Sequence, residues 1–149
     1  MRRLPVLQDA TTNDAQAAAR PPWQWVAIGA GFTGVIWAPL AAFAAPLGFA
    51  LATRSGHPAF GSLPGLVAYA LASGLAGCLV GRFGGRSARR EAALGGSFAA
   101  LVVCALAVLP GGAFSLIGAV AAFAALGPVG ALFGALGARI GLRMRPVLG

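Results

Sequence analysis

The chain has no lysine, three acidic residues, one histidine and two cysteines in 149 positions. Each scarcity removes a class of chemistry. Catalysis and metal binding need several ionisable or thiol groups converging on one point, yet Asp9, Asp14, His57, Cys78, Glu91 and Cys104 are scattered along the length. No enzyme, resident cofactor or metal is expected. Charged residues make up 9% of the chain, against about 25% in an ordinary soluble domain. So small a polar fraction cannot cover a water-facing surface.

What the chain has instead is 58% hydrophobic residues, 23 glycines and a mean hydropathy of +0.83. Four apolar stretches run over about 25–53, 63–81, 92–109 and 113–138. Each is near or above the roughly 18 to 20 residues that cross a hydrocarbon core of about 30 Å. Lipid offers backbone groups no water, so such spans fold as helices. The expected class is an all-α integral membrane protein with four transmembrane helices. Residues 1–22 read as a disordered tail, 23–141 as the transmembrane domain and 142–149 as a second short tail.

The first stretch is longer than one straight crossing. Trp25 to Thr53 would reach about 43 Å at ~1.5 Å per residue, and the interval holds Pro39 and Pro46. Proline removes a backbone donor and crowds the preceding turn, so a kink or break is expected. The crossing is predicted to end near Ala45, giving spans of about 25–45, 63–81, 92–109 and 113–138. Residues 46–62 would then form an interfacial or re-entrant piece.

Every basic residue is arginine, and arginine placement gives an orientation. Arg2, Arg3 and Arg20 precede the first span; Arg82, Arg86, Arg89 and Arg90 lie between the second and third; Arg139, Arg143 and Arg145 follow the fourth. Arg54 stands alone on the other side. By the positive-inside rule both termini face the cytoplasm, as expected in a cell (inner) membrane. Trp23 and Trp25 fall where interfacial aromatic rings belong, and the arginines suit anionic lipid head groups. Nucleic acid is not an expected partner, because the basic residues sit in short clusters between apolar runs rather than along one face.

Two local patterns mislead. Arg20, an apolar run and Ala42-Phe43-Ala44 imitate a signal peptide, but the run exceeds the usual h-region of roughly 7 to 15 residues. A twin-arginine address at Arg2-Arg3 fails because no apolar run follows closely. Gly29-Ala-Gly31-Phe-Thr-Gly34 fits the dinucleotide fingerprint G-x-G-x-x-G. That fingerprint needs a parallel sheet and an acid about 20 residues on; neither is present.

Glycine carries the packing signal. Gly127, Gly130, Gly134, Gly137 and Gly141 recur at three- and four-residue steps, and so do Ala70, Gly74, Gly77, Gly81 and Gly84. Such spacing draws a seam along one helix face. Glycine inside a helix costs about 1 kcal/mol relative to alanine, and close backbone approach between membrane helices offsets that cost. Residues 74–86 laid on 127–139 match at six of 13 positions with an offset of 53. This predicts two helical hairpins as parallel repeats, with the second and fourth spans at the centre.

The remaining polar residues are read singly. His57 is a solvated loop residue, Glu91 offsets Arg89 and Arg90 at a helix start, and Cys78 and Cys104 are buried, unbridged small residues. Thr33, Tyr69, Ser73, Ser97 and Ser115 serve for interhelical hydrogen bonds and are sparse for a coupled transporter. The expected function is a non-enzymatic accessory or scaffold subunit, in a homo-oligomer or larger membrane complex. The alternative is a small oligomeric pore or uncoupled transporter. The arginine asymmetry is checked by reporter fusions: one after residue 149 should report the cytoplasm, one inserted at 110–112 the opposite side.

Overall fold

A computed structural model describes residues 21–84, 87–109 and 115–144. The polar tail up to position 20, Arg86, the turn at 110–112 and Arg145 lie outside the described residues. Helices α1 (Pro22–Ser55), α2 (Leu63–Phe83), α3 (Ala88–Val108) and α4 (Leu116–Arg143) form an all-helical fold, with a short 3-10 segment at Pro58–Ser62. All four are long and apolar enough to cross a membrane.

α1 differs from its expected bounds. It starts with proline in the first turn, where no amide donor is needed, and ends at Gly56, whose φ of 68° is left-handed. Its 34 residues reach about 51 Å at ~1.5 Å per residue. There is no break at Pro39 or Pro46. Proline's fixed φ lies in the helical range, so the helix continues through each ring with one backbone donor fewer. Residues 46–55, expected to be interfacial or re-entrant, are therefore the last turns of α1. The 3-10 segment folds back onto them: a Cβ on Gly48 would collide with the Gly61 carbonyl, and one on Gly61 would stand 3.2 Å from Ala52 Cβ.

The other boundaries have local causes. α4 begins at Leu116 because the Ser115 hydroxyl accepts from the Gly118 amide at 3.2 Å, capping the first turn. α2 ends where the Gly84 amide turns onto the Val80 carbonyl at 2.6 Å. α3 begins four residues before its expected start, taking Glu91 into its first turn.

The contacts fix an up-down-up-down bundle. Gly77 meets Gly134 and Gly81 meets Ala138, so α2 and α4 are parallel; Gly96 meets Gly130 and Ala92 meets Gly134, so α3 and α4 are antiparallel. α1 lies across α2 and α3, with Gly29 at Val80 and Gly95 at Val26. Going round, the order is α1, α2, α4, α3; among the described residues α1 and α4 do not touch, whereas α2 and α3 do. The α2–α4 contacts pair residues 57 to 63 apart, whereas the sequence match has an offset of 53.

The partition of side chains is the reverse of a water-soluble core. The buried positions of α4 are Ala119, Gly127, Gly130, Gly134, Gly137, Ala138 and Gly141, all small. Large apolar groups point outward, Phe43 at 80% and Ile117 at 83% exposure. In a lipid surrounding large chains would gain nothing from burial, and small ones would be favoured where backbones meet.

Glycines with and without neighbours should respond oppositely to the same change. Gly77→Ala puts a methyl group into the Gly134 backbone and should destabilise by about 1–3 kcal/mol. Gly31 and Gly34 have nothing within 4 Å of a built Cβ, so Gly31→Ala or Gly34→Ala should stabilise by about 0.5–1 kcal/mol. Thermal unfolding in detergent measures both.

Candidate functional site

Two groups of polar residues stand out against the apolar bundle. The first lies mid-height where α2 and α3 meet α4, with α1 packed against α2. Tyr69, 1% exposed, donates its hydroxyl to the Gly96 carbonyl at 2.6 Å across the α2–α3 contact. Its ring edge lies 3.1 Å from a Cβ built on Gly130, so the tyrosine occupies the space that glycines on α3 and α4 leave open. Trp37 of α1 meets the same ring edge-on, with centroids 6.0 Å apart, an arrangement suited to the aromatic quadrupole.

Hydroxyls around this level turn to backbone carbonyls. Ser97 donates to Gly127 at 3.1 Å, joining α3 to α4, and Thr33 donates to Gly29 within α1 at 2.8 Å. Ser73 lies one turn along α2 from Tyr69, and its hydroxyl, like the Trp37 indole nitrogen, has no hydrogen-bond partner. These groups are neutral donors and acceptors. They can hold helices in register; they supply no nucleophile–base pair and no cluster of metal ligands.

The second group lies at the end shared by the start of α1, the end of α2, the start of α3 and the end of α4. Arg82, Arg89, Arg90, Arg139 and Arg143 are all exposed there, and Arg82 lies 5.6 Å above the Phe83 ring. Trp23 is 66% exposed. Trp25 is not: it is 9% exposed and packs in a cluster with Val80, Ala88, Ala92 and Ala138. The reason is its face, since Trp25, Gly29 and Thr33 recur every four residues along the inward side of α1.

Glu91 also departs from expectation. It is 4% exposed, and Ser87 Oγ donates to its Oε1 at 2.5 Å while Oε2 has no hydrogen-bond partner. The carboxylate is turned inward, away from the exposed guanidinium groups of Arg89 and Arg90 that it was expected to offset. Cys78 and Cys104 are free thiols, Cys78 half-buried and Cys104 buried.

The predicted packing glycines fall into three sets. Gly77, Gly81, Gly134, Gly137 and Gly141 each lie too close to a neighbouring backbone for a Cβ, and Gly130 does the same towards Gly96. Gly74 contributes its carbonyl, which closes on Gly137. Gly84 faces its own helix at Val80, and the nearest atoms to Gly127 belong to Phe123 one turn back; these two serve a helix end and a hydroxyl contact. Sequence reasoning missed α3. Gly95 approaches Val26 at 3.1 Å and Gly96 abuts Gly130, a stripe readable in advance from Ala88, Ala92, Gly96 and Ala100 at four-residue steps.

No family model matches this sequence, and no match was found among curated proteins or solved structures.

Removing the tyrosine hydroxyl isolates one interhelical bond. Tyr69→Phe leaves the ring in place and frees the Gly96 carbonyl, so stability should fall by about 1–2 kcal/mol, read from unfolding in detergent. Tyr69→Ala should cost more, because the ring also fills the space beside Gly130.

Proposed function

We propose that this chain is a non-enzymatic, multi-pass inner-membrane protein with cytoplasmic termini, acting as an accessory or scaffold subunit. The observation that carries this reading is how the glycines are used. They close the bundle on itself: Tyr69, Ala72, Val80, Ala100 and Ala138 are all 0–1% exposed at its centre, which argues for a solid body rather than a conduit through one chain. The arginines at one end fit the cytoplasmic face and its anionic head groups.

This reading moves the partner-facing surface away from the glycine seams. Packed glycines are unavailable to another protein, whereas α1 is the least covered helix, with 6% of its most apolar window buried. Its outward residues include Ala27, Gly31, Ala38, Ala42 and Ala45 among exposed Phe32, Val35 and Phe43. Small residues in that pattern permit close approach by a further helix.

The test separates folding from assembly. Gly31→Leu with Ala38→Leu should leave helicity and melting temperature near wild type but reduce the mass of the gently extracted complex, measured by light scattering. Gly134→Leu should instead lose the folded bundle. A wild-type chain that extracts as a lone monomer, or proteoliposomes that conduct an ion or solute, would overturn the scaffold reading.

A further inference from the structure

We infer that the recess at the arginine end is a binding site for the phosphate of an anionic lipid head group. The inference rests on the proposed placement of that end at the membrane surface, and it goes further by assigning particular residues to a particular ligand chemistry.

The recess follows from helix lengths. Ala92 faces Gly134 in the antiparallel α3–α4 contact, which brings Ala88, the first residue of α3, to the level of Ala138; both belong to one buried cluster. α4 continues to Arg143, about 7 Å further at ~1.5 Å per residue. The start of α3 is therefore set back beside a projecting wall. The cavity so formed is about 470 Å³ and is lined by Ser87, Arg89, Arg90 and Leu142.

Among the described residues the exposed charges that line it are basic. The only acid near it in sequence is Glu91, whose carboxylate is buried and accepts from Ser87. Ser87 thus orients the carboxylate inward and makes no side-chain cap on α3. Arg89 and Arg90 both line this cavity, and a guanidinium group can present paired N–H donors to phosphate oxygens. The first turn of α3 adds its partial positive charge. Leu142 contributes an apolar wall on the side of the projecting helix, which suits a phosphate carried on a lipid better than a free anion.

The experiment uses the full chain in detergent with phosphatidylglycerol, phosphatidylcholine or inorganic phosphate added. Lipid retained per chain is read by native mass spectrometry, and melting temperature is read in parallel. Phosphatidylglycerol should be retained in preference, one molecule per chain. Arg89→Gln with Arg90→Gln should weaken that retention about tenfold, as loss of charge-assisted hydrogen bonds implies. Arg82→Gln, exposed at the same end but outside the recess, should weaken it by much less, and Arg89→Lys with Arg90→Lys should keep part of it. Helical content checks that each variant is folded.

Equal retention of the two lipids would overturn the inference, and so would an equal loss in Arg82→Gln, which would mean a diffuse surface field. Displacement of the lipid by millimolar inorganic phosphate would mean a free-anion site instead. Extraction by alkaline carbonate from native membranes would defeat the membrane placement itself, a different result from an integral protein without lipid preference.

Discussion

The bundle depends on backbone-to-backbone contact along α4. Gly134 and Gly137 bring its main chain against Gly77 and Gly74 of α2, while Gly130 and Gly134 bring it against Gly96 and Ala92 of α3. One helix thus uses adjacent strips of its surface for two partners, one parallel and one antiparallel. Because a methyl group has no room at most of these points, the separation of three helices is set by main-chain atoms. Dispersion between closely apposed backbones, with weak Cα–H···O contacts, is the attraction available where no hydrophobic force separates helix from surroundings.

Other features follow from that approach. Helices this close leave little room for large side chains between them, so apart from Val80 the described leucines, valines and phenylalanines are at least partly exposed and the interior is mainly alanine and glycine. Space remains where Gly96 of α3 meets Gly130 of α4, and Tyr69 fills it, its hydroxyl reaching the Gly96 carbonyl. Some polar atoms in such an interior are tied to backbone carbonyls, as those of Thr33 and Ser97 are, while the Ser73 hydroxyl and the Trp25 and Trp37 indole nitrogens have no hydrogen-bond partner. The first helix is held differently. α1 touches α2 and α3 through Gly29, Trp25 and Trp37 and leaves α4 alone, so most of its surface is free.

Sequence periodicity made much of this legible. Steps of three and four residues marked the seams of α2 and α4 because glycine in a helix is costly unless something approaches it. The same rule applied to α3 would have found Gly96, but alanine-rich stripes carry little signal in a chain rich in alanine. Proline at 39 and 46 suggested an end to the first span and gave none, since a helical φ is compatible with the ring and the lost donors are few. Trp25 and Glu91 depart from expectation for a shared reason: their types favour a surface, and only the direction of their helix face puts them inside.

By itself the sequence determined the number of helices, their apolar character and the clustering of arginine, because these depend on composition along the chain and on the length needed to span hydrocarbon. The tertiary structure decided which helices meet, that α4 serves two partners, and that α1 stays outside. It also decided that Glu91 turns inward, leaving Arg89 and Arg90 to face a recess. Such outcomes depend on register and rotation between helices. A shift of one turn would leave every local preference satisfied while pairing different glycines and closing or opening a different cavity.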